Sequence, residues 1–140
     1  MNMKQLRMVI LLLTACSILY ACPNKDGHYY ITIINQSNKT IMFQPRELKI
    51  GQLDTLYVCL GGGYIISHDS MYKLDIRGTW EARLNKHSYL QLLFMDRDVH
   101  LNYYTQPCDT IRKYVPILHR YQLTLEDLQR MEWTVVYPPE

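Results

Sequence analysis

Between Tyr29 and Pro45 the chain reads YYITIINQSNKTIMFQP. Tyr29, Ile31 and Ile33 alternate with Tyr30, Thr32 and Ile34; Gln36 to Lys39 are polar, and Ile41 and Phe43 resume the period of two. That period sends successive side chains to opposite faces of a strand, so the stretch predicts a β-hairpin. LYVCL (56–60) is apolar throughout, the pattern of a strand buried on both faces. Gly61, Gly62 and Gly63 follow as a turn or bulge before YII. Further on, YLQLLFM (89–95) offers Leu90, Leu92 and Phe94 to one side, and VHLNY (99–103) offers Val99, Leu101 and Tyr103. In YVPILHRY (114–121), Pro116 lacks an N–H for the ladder and pushes the strand to a sheet edge or bulge. WTVVY (133–137) is the last strand, stopped by Pro138 and Pro139.

Helical signals are few. In LTLEDLQRM, Thr124 can cap the first turn while Asp127 reaches back, a capping box, and Leu123 and Leu128 hold the positions of a hydrophobic staple. Acids in its first turn and Arg130 in its last complement the helix dipole. GTWEARL adds one turn at most. Short strands separated by turn residues, with one short C-terminal helix, predict a mainly β fold: an immunoglobulin-like antiparallel β-sandwich formed by residues 28–140 as a single domain.

Ahead of that domain the pattern changes. Lys4 and Arg7 precede an apolar run, Met8 to Ala21, interrupted only by Thr14, Cys16, Ser17 and Tyr20. A basic start, a short apolar centre and small residues before a cut site describe an export signal, and the run is shorter than the ~20 residues a spanning helix needs. Leu13-Thr14-Ala15-Cys16 and Leu19-Tyr20-Ala21-Cys22 each look like a bacterial lipobox, in which the cysteine is acylated and becomes the new N-terminus. We take Cys22 as the lipidated residue, with Cys16 as the alternative. Cys22 uses the whole apolar run, and cutting there leaves two cysteines rather than three. Residues 1–21 are then a lipoprotein signal peptide and 22–27 a tether. Acyl chains would hold the protein to membrane lipid without spanning it.

The cut also changes the charge. Of fifteen Lys and Arg, Lys4 and Arg7 fall in the leader, which has no acid; the thirteen that remain match thirteen Asp and Glu. No basic stripe is left for a nucleic acid to use, so nucleic acid is excluded as an expected partner.

Catalytic motifs are missing. There is no G-x-S-x-G elbow and no Lys-Ser/Thr after the glycine run, so neither an esterase nor a phosphate-cradling loop is expected. Asp96, Asp98 and His100 alternate and would share one face of a continuous strand, where a divalent metal could bind. A solvated turn explains them equally well, and neither a metal nor another cofactor is expected. Cys59 and Cys108 are candidates for a disulfide in an oxidising compartment, with two separate thiols as the other reading. Eleven of the twelve tyrosines follow the leader. Most suit strand pairing and half-buried packing. Trp80, Tyr103 and Tyr104 are the aromatic residues singled out as a candidate ligand face.

The strand and turn ITIINQSNKTIMF, the middle GTWEARL…LQLLFMDRDV and the ending RYQLTLEDLQRMEWTVVYPP resemble a family of small uncharacterised cell-envelope lipoproteins of Bacteroidales bacteria. The resemblance implies a β-rich cell-envelope domain and brings no catalytic residues with it; the lipid anchor is expected at the outer membrane, on either its periplasmic or its surface face. In that setting Asp54-Thr55-Leu56, Asp69-Ser70-Met71 and Asp109-Thr110-Ile111 resemble O-glycosylation acceptors, which makes Thr55, Ser70 and Thr110 candidate sites on loops at strand ends. Ordinary Asp-Ser/Thr turn chemistry is the plainer reading. The expected function is a non-enzymatic binding or structural module with a protein or glycan partner. A small hydrolase or accessory subunit acting on surface polysaccharide or peptide is the alternative.

Overall fold

Ile31, Ile33 and Asn35 are buried on one face of the first strand, as the period of two requires. In the computed structural model, which describes residues 27–52, 59 and 62–139, this strand is β1 (Tyr30–Asn35). The other described strands are β2 (Ile41–Lys49), β3 (Tyr64–Ile66), β4 (Ser70–Asp75), β5 (Ser88–Asp96), β6 (Ile117–Leu123) and β7 (Thr134–Tyr137). They form a three-stranded sheet in the order β4-β1-β7 and a four-stranded sheet in the order β3-β2-β5-β6. Every pairing is antiparallel except β1 with β7. The fold is mainly β.

β1 and β2 are not a hairpin. Each joins a different sheet, β1 between β4 and β7, β2 between β3 and β5. The polar turn between them carries the chain across, and Asn35 makes that crossing specific. Its side chain is fully buried, and its amide nitrogen donates to the carbonyls of Lys39, Ile66 and Ser67 at 2.8, 3.2 and 3.0 Å. Its oxygen accepts from the backbone N–H and the hydroxyl of Ser37 at 3.0 and 2.6 Å. Local alternation identifies two strands, but this buried amide ties the corner to β3, some thirty residues on.

Among the described residues four short helices interrupt the strands: α1 (Trp80–Arg83), α2 (Arg97–Tyr103), α3 (Cys108–Tyr114) and α4 (Leu125–Arg130). The expectation of a single C-terminal helix is therefore corrected, and VHLNY is helix rather than strand. Asp96 ends β5 and starts α2 in one step, because its carboxylate accepts from the N–H groups of Asp98 and Val99 and satisfies donors a strand would have paired. α4 closes as anticipated: the Thr124 hydroxyl accepts from Asp127 N–H, and Thr124 N–H donates to the Asp127 carboxylate at 3.0 Å. Leu123 and Leu128 are both buried in the core beside it.

That core is shared by the two sheets. Ile31, Ile33, Leu74 and Val135 from one meet Phe43, Leu90, Leu92 and Phe94 from the other. Phe94 stacks on Tyr137 at 4.8 Å, so an aromatic contact joins β5 to β7. The opposite face of β2 and β5 carries Met42, Leu93 and Met95, which pack with Ile111 and Val115 of the α3 segment and with Val99 and Tyr103 of α2. β5 is thus covered on both faces. Pro116 stands just before β6, which forms the edge of the four-stranded sheet. Among the described residues no helix is long and apolar enough to cross a membrane.

Candidate functional site

One end of the molecule is organised by α1, a single turn. Thr79 caps it, its hydroxyl accepting from Ala82 N–H. Gly27 lies so close to the Thr79 side chain that a Cβ there would collide with it, so only glycine admits the incoming chain. Trp80 N–H donates to the His28 carbonyl at 2.9 Å, which fixes the turn against the residues leading into β1.

Behind this turn is a cavity of about 310 Å³, reached by residues of β2, β3, β4, α1 and β5. Trp80, Leu74 and Leu90 form its buried wall, Tyr64 and Ile76 its flank, and Glu47, Arg77 and Arg83 its polar rim. Arg83 is held by Glu47 in an ion pair. Arg77 has no ion pair or hydrogen bond among the described residues. Trp80 is 2% exposed, yet its indole N–H has no hydrogen-bond partner among the described residues. A buried indole N–H normally finds an acceptor, because leaving it unmet costs about 1–3 kcal/mol. The walls offer a small apolar surface and one buried donor; the rim offers a guanidinium and a carboxylate.

On the other side of α1, Glu81 accepts from the backbone N–H of His28 at 2.9 Å and binds its ring Nδ1 at 2.6 Å. Burial pushes the Glu81 carboxyl up, but the His28 ring and backbone N–H donors outweigh it and hold the group below its usual value. The His28 ring stacks on Trp133 at 4.0 Å. Trp133 reaches it because Glu132 and Trp133 take φ of 50° and 58°, reversing the chain after α4. Such left-handed backbone in non-glycine residues costs of order 1–3 kcal/mol each. The Trp133 N–H to Leu128 carbonyl bond, 2.8 Å, helps to hold it. Gly27, Tyr29, Tyr30, Thr32 and Glu132 complete a second hollow here of about 350 Å³.

The anticipated aromatic face is not one surface. Trp80 is in the core between the sheets, whereas Tyr103 packs on the opposite face of the four-stranded sheet and stacks on Tyr114 at 5.1 Å. Tyr104 is exposed beside it. Cys59 and Cys108 are joined in a disulfide with Cα atoms 5.1 Å apart. Ser70 opens β4 after Asp69, whose φ is 49°, and is exposed. Thr110 is half-buried in α3, not in a loop. Thr55, Cys16, Cys22 and all of LYVCL but Cys59 lie outside the described residues.

The strand face imagined for Asp96, Asp98 and His100 does not form. Asp96 caps α2, Asp98 pairs with Arg97 at 2.9 Å, and His100 is buried. Among the described residues no cluster of three or more metal-type ligands occurs.

Arg77, His28 and Glu81 escaped the reading of the sequence. His28 and Glu81 are 53 residues apart, a separation that leaves no local signature. Arg77-Gly78-Thr79-Trp80 did carry a faint one: a glycine turn, a capping threonine, and a tryptophan that one helical turn cannot hide by itself. No family model matches this chain, and neither a curated protein nor a solved structure shows significant similarity to it.

Proposed function

We propose that the protein is a lipid-anchored module of the bacterial cell envelope, a non-enzymatic binding domain of immunoglobulin-like sandwich type belonging with the small Bacteroidales lipoproteins it resembles. The observation that carries this reading is the apolar leader closing on Leu19-Tyr20-Ala21-Cys22 directly before a polar segment and a β domain. Two sheets sharing one aromatic core support the sandwich, and the cavity behind Trp80 supports binding. Residues 22–27 span at most about 20 Å when extended, so the anchor keeps the α1 end close to the bilayer.

The test is the mature N-terminus. Mass spectrometry of the protein from membranes is expected to find an acylated Cys22 as the first residue. Cys22→Ala should release the protein from the membrane fraction and Cys16→Ala should leave it there. An intact leader on an unmodified chain would overturn the proposal.

One observation favours a second reading. Glu47 and Asp75 both border the cavity, and a glycoside hydrolase uses two carboxylates. Glu47 is engaged by Arg83, however, an arrangement suited to accepting hydrogen bonds rather than to delivering a proton. Release of reducing ends from an envelope polysaccharide, abolished by Glu47→Gln, would establish the hydrolase instead.

A further inference from the structure

The cavity behind α1 has more definite chemistry than "binding" conveys. We propose that it takes a carboxylate-bearing ring, the acidic monosaccharide unit of a glycan, with the carboxylate at Arg77 and an acceptor oxygen at the Trp80 indole. This deepens the binding-module reading and rests on it, but does not depend on lipid attachment.

Three features select that class. The first is charge. Arg46 and Asp75 also line the cavity, but strand alternation puts their side chains on faces turned away from the core, since Arg46 pairs with Gln91 and Asp75 with Tyr30. Of the groups that remain at the rim, Arg83 and Glu47 neutralise each other, and Arg77 is one uncompensated cation. A single carboxylate matches it, and the guanidinium fork suits carboxylate geometry.

The second is the balance of donors and acceptors. The indole N–H is buried and without a partner among the described residues, so an oxygen admitted by a small shift of the wall gains a bond that no solvent bond opposes. Glu47 accepts, and a sugar hydroxyl can donate to it. The third is size and wall chemistry. A volume of about 310 Å³ is at the small end for ligand sites, enough for one ring. Tyr64, Leu74, Ile76 and Leu90 supply apolar surface for the C–H face of that ring.

The chain has two tryptophans, Trp80 and Trp133, so its indole N–H spectrum has two signals, assigned by Trp80→Phe. The full chain in detergent micelles is titrated with glucuronate, glucose and inorganic phosphate. Glucuronate is expected to shift the Trp80 signal saturably and leave that of Trp133 in place. Glucose should bind at least about tenfold more weakly, since it lacks the charge-assisted bond. Arg77→Met should weaken glucuronate by a similar factor, about tenfold or more, while the two indole signals of the free variant keep their positions.

The proposal is overturned if glucuronate leaves Trp80 unmoved, if glucose or phosphate binds as tightly, or if Arg77→Met binds like the native protein. Cys22→Ala separates this from the question of anchoring. It is expected to bind glucuronate as the native chain does, so a failed titration leaves lipid attachment standing and a failed lipid analysis leaves the cavity standing.

Discussion

Asn35 is one amide with five hydrogen-bond contacts, two to Ser37 and one each to Lys39, Ile66 and Ser67, which together fix the crossing between the sheets. Truncating it removes all five, and the Ser37 hydroxyl and the Lys39 carbonyl keep the bond they make to each other. Asn35→Ala is therefore expected to cost about 2–4 kcal/mol, read as a fall in the urea midpoint. Ser37→Ala keeps the amide and its three acceptors, and should cost no more than about 1 kcal/mol.

His100 is the buried residue whose charge matters most near neutral pH. Burial on α2 lowers its pKa from the ordinary 6.5. The folded state thus favours the neutral ring, the unfolded chain takes up the proton first, and stability falls as pH drops below 6.5. Replacing it by His100→Leu should flatten the stability profile between about pH 7 and about pH 5. Glu81 and Asp127 also contribute stability that is lost towards acid, but from the ordinary carboxylate values of 4.5 and 3.8 downwards, beneath most of that window. Denaturant midpoints across the range decide it: an unchanged slope in the variant would remove His100 from the account.

At the scale of elements, α4 shows what a local signal can achieve. Thr124 and Asp127 bond reciprocally, and each bond satisfies an N–H that the first turn leaves open. Thr124→Ala is expected to cost about 1 kcal/mol. Because Asp127 loses its partner at the same time, Thr124→Ala and Asp127→Ala combined should cost less than the sum of the two, a double-mutant cycle being the check. Such elements were legible because everything that defines them lies within a few residues: the capping box of α4, the alternation of β1 and β5, and the edge position of β6 that Pro116 implies, although the strand read over 114–121 begins only at Ile117, after Tyr114 has closed α3.

What was not legible depended on distance or on competing periods. Val99, Leu101 and Tyr103 fit a strand, but Asp96 offers its carboxylate to the next N–H groups and the chain turns helical, with Val99 and Tyr103 one helical turn apart on the face that meets the sheet. The partner of β2 was misread for a related reason. Alternation states that a segment is a strand and which face is apolar; it says nothing about which strand lies beside it. The cavity is the extreme case, since its lining runs from Pro45 to Leu90 and no stretch of it is a motif.

For the molecule as a whole, the question is what makes two sheets one cooperative unit. Phe94 is fully buried between them; besides stacking on Tyr137 it meets Phe43 at 5.9 Å and the edge of Tyr121 at 5.8 Å. Tyr121 adds a polar link, its hydroxyl donating to the Val136 carbonyl at 2.6 Å and so tying β6 to β7. These two devices differ in size. Tyr121→Phe removes one hydrogen bond and keeps the ring, for about 1 kcal/mol. Phe94→Ala empties the centre of the aromatic contact and should cost about 3–5 kcal/mol, whereas Phe94→Leu refills most of it and should recover a large part. If the aromatic joint makes the sheets a unit, tryptophan fluorescence and far-ultraviolet circular dichroism should report one coincident transition in the native protein and in Tyr121→Phe. In Phe94→Ala the two probes should separate, because the three-stranded sheet, with its short β7, loses the contact that couples it to β5. Coincident transitions in Phe94→Ala would show that the aliphatic contacts around Ile31, Ile33 and Leu92 suffice to couple the sheets.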